Sequence, residues 1–195
     1  MTRTPEEKRA FDMGTALMKL MAGRSSCDED TCLRLIADGA STKVMDINGY
    51  SLLYYAANAP APRVFEKLLA AETDIDRRMG SAKMSILFFA AAGGNMPVLQ
   101  QLIDRKAEVN TADSRGHTPL MAATMNNHPE TVRLLLAAGA NPVMTDFGAK
   151  TALDHARDMK RPDIEPYLAE AVKNHAAMAI GRRLPVRRPL RFKPH

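Results

Sequence analysis

The segment DSRGHTPLMAATMNNHPETVRLLLAAGAN, residues 113–141, carries the signals of two short helices joined by tight turns. Gly116 lies in a polar stretch that needs a turn, where glycine adopts positive φ at little cost. Thr118 followed by Pro119 is typical of a helix start, because the hydroxyl caps unbonded amides and proline fits the first helical position. The break NHP at 127–129 opens a second helix in the same way, and Gly139 ends it. We therefore expect a helix–turn–helix unit that needs stacked neighbours to bury its apolar faces.

This unit recurs along the chain with a period of 33 or 34 residues. Two columns are aligned in one register, namely Leu53, Leu87, Leu120 and Leu153, and Ala56, Ala90, Ala123 and Ala156. A second apolar pair recurs at 35–36, 68–69, 102–103 and 135–136, and 168–169 closes the series. Together with a composition rich in alanine, leucine and methionine, which lose little rotamer freedom in helices, the columns predict an all-α repeat protein.

The chain resembles the ankyrin repeat family. The run HTPLMAA at 117–123 is similar to the family's Thr-Pro-Leu-His-x-Ala-Ala signature, and LLLAAGAN at 134–141 is similar to its Leu-Leu-x-x-Gly-Ala-Asp/Asn ending. The runs DINGYSLLYYAA from Asp46 and DFGAKTALDHAR from Asp146 keep part of the same pattern. The resemblance covers roughly residues 31–168 and implies an ankyrin solenoid of stacked helix–turn–helix units with short β-turn fingers.

The resemblance divides the chain into six segments. We expect an amino-terminal capping region at 1–45, repeats at 46–79, 80–112, 113–145 and 146–181, and a basic tail at 182–195, with the last repeat extended by a capping helix. Two features mark the first cap: a capping box at Thr4–Glu7 and an apolar stripe at Met13, Leu17, Leu20 and Met21. The last helix carries a stripe at Ile164, Tyr167, Leu168, Ala171, Val172, His175 and Ala179, and is expected to end at Gly181.

Two departures from the family pattern stand out. The histidine that usually follows the leucine is replaced by Tyr54, Phe88, Met121 and Asp154, so the family's Thr–His hydrogen bond is absent. The repeat at 80–112 has Lys83 where the turn glycine belongs, Ser85-Ile86 where Thr-Pro belongs, and one extra residue near 77–79. This irregularity is either drift in a tolerated loop or a finger reshaped to contact a partner.

The net charge of +5 comes from the tail. Residues 182–195 contain six basic residues and no acid, and the remaining chain is close to neutral. The basic residues are Arg182, Arg183, Arg187, Arg188, Arg191 and Lys193. Three prolines exclude a continuous helix there. The tail is therefore either a flexible solubilising segment, a site for nucleic acid or anionic membrane, or a targeting address.

Composition and termini indicate the compartment. Only two cysteines occur, Cys27 and Cys32, so no disulfide framework is implied. The charged amino terminus does not read as a signal peptide, and we find no apolar run long enough for a membrane helix. We expect a soluble, cytoplasmic protein, with secretion into a host cell left open.

The sequence predicts no enzyme, no cofactor, no metal site and no small-molecule substrate. The five histidines are spread over two repeats and the tail, so we do not expect them to converge, and no metalloprotease, phosphate-loop or nucleophile-elbow motif occurs. Cys27 and Cys32 are five apart without a second pair, which does not fit a structural zinc site.

The family resemblance instead implies a protein partner, bound at the concave face lined by finger tips and first helices. The positions matching that face are Ile47, Asn48, Tyr50, Asn58, Met84, Arg115, His117, Met125, Asn126, Phe147, Lys150 and Arg157. Tyr50 and Phe147 are the expected anchors, and Arg115 and Lys150 the steering charges. Alternatively, each tip simply packs on its neighbour. The expected function is an adaptor, inhibitor or immunity-type factor, and the alternative is polyanion binding by the tail.

Overall fold

The computed structural model describes residues 4–22, 28–59, 61–72 and 74–179, and this part of the chain holds ten helices. They are α1 (Pro5–Ala22), α2 (Glu29–Ala37), α3 (Leu52–Asn58), α4 (Pro62–Ala71), α5 (Ile86–Ala92), α6 (Met96–Asp104), α7 (Pro119–Met125), α8 (Pro129–Ala137), α9 (Ala152–Asp158) and α10 (Glu165–Ala179). Cys27 and the basic tail lie outside the described residues.

The helices form five pairs stacked in two rows. The odd-numbered helices form an inner row and the even-numbered helices an outer row, and each helix packs against its partner and against its equivalents in the neighbouring pairs. The predicted all-α solenoid is confirmed. None of the helices in the described ranges is both long and apolar enough to cross a membrane.

The repeating columns form the core. The alanine column of the inner row is at most 2% exposed, from Ala56 to Ala156, and small side chains there let adjacent inner helices approach closely. The leucines at 53, 87 and 120 are buried, but Leu153 is only half-buried, since α9 is the last helix of the inner row. In the outer row, Leu68, Leu102, Leu135 and Leu168 are buried.

The amino-terminal cap differs in detail from the sequence prediction. The capping box forms, with the Glu7 amide donating to Thr4 Oγ1 at 3.2 Å and the Thr4 amide donating to Glu7 Oε2 at 2.8 Å. The predicted stripe is wrong at Leu20, which is 42% exposed, whereas Met18 is 7% exposed. The buried face is rotated because α1 contacts the loop after α2. The contact is at Gly14, where a Cβ would collide with the Ser41 carbonyl oxygen.

The last helix buries less of its predicted stripe than expected. Ile164 and Leu168 are fully buried, while Tyr167 is 38% exposed and His175 is exposed. Ala171 and Val172 of the stripe are half-buried. The predicted end at Gly181 lies outside the described residues.

Four finger turns, at 46–50, 79–84, 113–117 and 146–150, lead into the inner helices α3, α5, α7 and α9. Three of them open on an aspartate, Asp46, Asp113 or Asp146, whose Oδ1 accepts two backbone N–H bonds of 2.8–3.0 Å. The irregular finger has no such aspartate, and Met79 and Met84 instead exchange two backbone hydrogen bonds of 2.8 and 3.0 Å. Lys83 takes the turn-glycine conformation there, with φ +52°.

Candidate functional site

The fingers and the inner helices together present one continuous surface, termed here the finger face. The last three fingers are joined by backbone hydrogen bonds: the Ser114 amide donates to the Ala82 carbonyl at 2.8 Å, and the Phe147 amide donates to the Arg115 carbonyl at 3.0 Å. Gly116 permits this approach, because a Cβ at that position would lie 3.0 Å from Asp146 Cα. These bonds hold the tips of the last three fingers in a fixed row.

The twelve predicted binding positions differ in accessibility. Eight are exposed, namely Ile47, Asn48, Asn58, Arg115, Asn126, Phe147, Lys150 and Arg157. Four are half-buried, namely Tyr50, Met84, His117 and Met125. The apolar row expected from the sequence is thus unevenly exposed, and its accessible members lie at the two ends.

Ile47 and Phe147 are the most exposed large apolar side chains of the described residues, at 101% and 83%. They occupy the first and the last finger. Met178, at 76%, lies away from the fingers on α10. Exposing large apolar side chains to water is unfavourable. Their position at the finger tips therefore marks the two ends of a candidate docking surface.

Tyr50 does not project as an isolated anchor. Its ring stacks on Tyr54 with centroids 4.5 Å apart, and it packs edge-on against Phe89 at 5.7 Å. Tyr54 in turn meets Phe89 at 4.6 Å. The three half-buried rings form an aromatic ridge between the first two fingers, of which only Tyr50 was among the predicted positions. Tyr54 stands in the column where the family's histidine is replaced, and that replacement was the available signal.

Tyr55 ties the first finger to its inner helix. Its hydroxyl donates to Asp46 Oδ2 at 2.8 Å. Burial, together with the neighbouring Asp46 carboxylate, raises the pKa of Tyr55 to about 12. The Tyr55 side chain is therefore a structural strut rather than a group that ionises near neutral pH.

The predicted charged positions are partly engaged within the chain. Lys150 Nζ donates to Asp158 Oδ2 at 2.6 Å, and Arg157 Nε donates to Glu165 Oε1 at 2.9 Å. Arg115 extends further into solvent, at 73% side-chain exposure, with its Nε 3.9 Å from Asp113 Oδ2. Among the three cations, Arg115 is the one best placed to meet an acidic group of a partner.

The expectation that the histidines stay apart is wrong for two of them. His155 Nε2 lies 2.8 Å from Asp146 Oδ2, and His117 Nε2 lies 3.6 Å from the same oxygen. The two imidazole rings are 5.9 Å apart and edge-on. The contact arises because stacking brings the finger of one repeat beside the finger and inner helix of the next.

This cluster lies at the inner side of the last two fingers. His117 Nδ1 lies 3.5 Å from Asp113 Oδ2, so its ring stands between two carboxylates. Hydrogen bonds from the backbone amide of Lys150, then from His155 and Gly148, lower the pKa of Asp146 despite its burial. The Asp146 carboxylate is therefore held as an anion among groups that can donate to it or share a cation with it.

Helix pairs stacked in two rows and linked by aspartate-opened fingers define an ankyrin-type solenoid, a class of repeat scaffold whose surfaces serve in binding. The family model for ankyrin repeats (3 copies) matches residues 53–146 and 87–177. The chain belongs to the ankyrin repeat family.

Several curated proteins share the repeats. A probable E3 ubiquitin-protein ligase of Oryza sativa subsp. japonica is 37% identical over 106 residues, or 53% of this chain and 24% of that protein. Neurogenic locus notch homolog protein 2 of Homo sapiens is 34% identical over 118 residues, or 60% of this chain and 5% of its own length. The match therefore spans about a quarter or less of these relatives. Ankyrin repeats are general protein–protein interaction modules.

Proposed function

We propose that this protein is a non-catalytic recognition module that binds a protein partner through the finger face, as an adaptor, inhibitor or immunity-type factor. The observation that carries the proposal is the exposure of Ile47 and Phe147, at 101% and 83%, at the tips of the first and last fingers. Full burial of a side chain of this size contributes about 1.5–3 kcal/mol. Two such anchors on a rigid row favour a partner that spans the whole set of fingers.

The polar groups between Ile47 and Phe147 would orient a bound partner rather than supply most of the binding free energy. The side-chain amides of Asn58 and Asn126 donate to the Tyr54 and Ala122 carbonyls at 2.8 and 2.9 Å. Each of these side chains can still offer a partner its carbonyl oxygen and its second N–H. Arg115 adds an exposed cation near the middle of the row. This mixed surface favours a protein or peptide over a uniformly charged polymer.

The test compares three full-length proteins in affinity capture from the native lysate: wild type, Ile47→Ala/Phe147→Ala, and Met178→Ala. Met178 is the matched control, because it is 76% exposed but lies on α10. We expect one protein to be retained by wild type and Met178→Ala and to be lost from the double variant, with unchanged far-UV circular dichroism. Equal retention by all three would refute the finger-face assignment.

Tyr50 is not used in this test because its ring supports Tyr54 and Phe89 and closes over Gly80. Truncating it would remove packing as well as a contact surface. Ile47 and Phe147 can be shortened with little loss of intramolecular contact.

The second candidate function is binding of a polyanion by the tail, favoured by the six basic residues of 182–195. Affinity that comes from phosphate neutralisation falls steeply as salt rises, whereas apolar docking on the fingers hardly changes. We would measure capture from 50 to 300 mM salt with the six tail residues replaced by glutamine. Recovery that depends on those six residues and disappears with salt would favour the tail over the finger face.

A further inference from the structure

The cluster of His117, Asp146 and His155 shares His117 with the finger face but has a different chemistry. One ligand atom from each of the three residues lies within 4.8 Å of the other two. His155 and Asp146 are buried and His117 is half-buried. The three come from two repeats, so the site exists only in the stacked chain.

We propose that this cluster binds a divalent transition-metal ion of the zinc and cobalt class, through one imidazole nitrogen of each histidine and Asp146 Oδ2. Imidazole and carboxylate are the donors that such ions take in proteins. Ligand atoms that share a tetrahedral zinc ion at about 2.0–2.1 Å stand about 3.3 Å apart. The separations of 2.8 and 3.6 Å from Asp146 Oδ2 to the two Nε2 atoms bracket that value.

The surroundings of His117 match those of a metal-binding histidine. Its Nε2 faces Asp146, while its Nδ1 faces the Asp113 carboxylate at 3.5 Å. A histidine that binds a metal through one nitrogen usually donates the other N–H to a carboxylate or carbonyl, which fixes the tautomer and ring orientation. Both distances are long for hydrogen bonds, so the ring fits between the carboxylates without being tightly bonded to either.

Charge balance points the same way. The Asp113 and Asp146 side chains are only 1% and 7% exposed. The nearest Arg or Lys side chain recorded as pairing with them is Arg115, at 3.9 Å from Asp113 and largely in solvent. Buried carboxylates are costly unless a cation or several donors compensate them. Backbone amides already donate to Oδ1 of both carboxylates, so what a divalent ion would add is compensation at Asp146 Oδ2.

The ligand count follows from the bonds already made. Asp146 Oδ1 accepts the Gly148 and Lys150 amides at 2.8 and 3.0 Å, so Asp146 binds through Oδ2 alone. Metal binding requires the lone pair of His155 Nε2, so a proton on that nitrogen would move to Nδ1 or, from a doubly protonated ring, be released to solvent, leaving a neutral ring. Three protein ligands leave a fourth position, reached past the 17% exposed His117, for a water molecule.

The first experiment titrates Co²⁺ into chelator-treated full-length protein and records the visible absorption of the bound ion. We expect saturation at one equivalent, with a spectrum typical of a four-coordinate site, and displacement of Co²⁺ by Zn²⁺. Absence of a saturable spectrum at one equivalent in wild-type protein would overturn the proposal, whichever variants fold.

Variants then locate the ion. His117→Gln is expected to lose at least 100-fold in Co²⁺ affinity, and Asp113→Asn about 10- to 100-fold through the orientation of His117. His175→Gln, on an exposed position of α10, is the matched control and should bind like wild type. Equal affinity of wild type and His117→Gln, both folded by circular dichroism, would refute the site. If His117→Gln does not fold, the same comparison is made with His155→Gln. NMR signals of His117 that do not change when Zn²⁺ is added would likewise refute the site.

Discussion

At the scale of single residues, the finger aspartates use their two oxygens differently. In Asp46 and Asp146, Oδ1 accepts two backbone amides of the same turn. Oδ2 reaches the inner helix of the same repeat, to Tyr55 at 2.8 Å and to His155 at 2.8 Å. One carboxylate therefore both closes the turn and fixes its angle to the helix that follows.

These bonds make the fold sensitive to acid. Burial would raise the pKa of Asp46, but hydrogen bonds from Tyr50, Tyr55 and Asn48 lower it below the ordinary aspartate value of 3.8. A carboxylate with a depressed folded-state pKa contributes stability that is complete above about pH 4 and is lost as pH falls through the folded pKa. Asp46→Asn should cost about 1–2 kcal/mol at pH 7, and its difference from wild type should shrink below pH 3.8 in urea unfolding curves. A difference that stays constant down to pH 2 would contradict this.

The last finger stores a small backbone strain. Its glycine, Gly148, precedes the left-handed position, and Ala149 occupies that position with φ +58°. A left-handed backbone conformation costs an L residue about 1–2 kcal/mol. Glycine avoids this cost but loses more conformational entropy on folding, so the net gain is smaller. Ala149→Gly should therefore stabilise the protein by about 0.5–1 kcal/mol in urea unfolding, without loss of packing at this exposed residue. The control Ala138→Gly, at φ −79°, should destabilise by about 0.5–1 kcal/mol. Destabilisation by both would show that the strain is absent.

At the scale of elements, the starts of the inner helices are capped unequally. Thr118 and Ser85 accept the amides of Met121 and Phe88 at 3.3 and 3.2 Å. Thr151 has a full capping box, because it accepts the Asp154 amide at 3.2 Å while Asp154 Oδ2 accepts the Thr151 amide at 2.9 Å. Asp154 stands where the family has histidine, so the lost Thr–His bond is replaced in this repeat.

Mutation of the residues before α9 and α3 should have different effects on the free energy of unfolding. Thr151→Ala removes the hydroxyl that caps α9 and should cost about 1 kcal/mol or more. Ser51→Ala should cost less, because Ser51 makes no capping bond to α3 and donates instead to Met79 Sδ at 3.4 Å. Urea unfolding of the two variants beside wild type provides the comparison, and equal losses would argue against the assigned caps.

Sequence reasoning succeeds here where structure is local and repeated. The Leu120 and Ala123 columns are reinforced by four copies, and the Thr118-Pro119 start and the Lys83 turn are each set by a few adjacent residues. It fails where the answer depends on stacking. Leu20 and Met18 are equally apolar, and the contact of α1 with the Ser41 loop decides which is buried.

The histidine cluster and the aromatic ridge have the same origin. Asp146 and His155 lie nine residues apart in one repeat, and stacking of the repeats brings His117, 29 residues before Asp146, beside them. Tyr50 looks like an exposed anchor because the sequence does not show that Tyr54 and Phe89 lie beside it.

At the scale of the whole molecule, the main contacts among the ten described helices run between neighbours. Each inner helix packs on the inner helices before and after it, from α1 to α9, and the outer row repeats this from α2 to α10. Stability is then close to a sum of repeat and interface contributions, and the ends can open without the centre. The central position of α5 and α7 gives them neighbours on both sides.

This arrangement predicts that two similar core truncations affect different numbers of helices, depending on where they lie in the stack. Leu17 in α1 and Leu120 in α7 are 0% and 1% exposed, and replacing either with alanine removes about 2–5 kcal/mol of local packing. Leu17→Ala should accelerate hydrogen exchange in α1 to α3 while α7 to α9 stay protected, because the broken packing lies at one end. Leu120→Ala should accelerate exchange on both sides of α7, since it weakens two interfaces at once. Val143→Ala, at a residue 39% exposed, serves as the control and should leave the exchange pattern unchanged. Uniform acceleration in Leu17→Ala would mean that the chain opens as one cooperative block, and the neighbour-only account would be wrong.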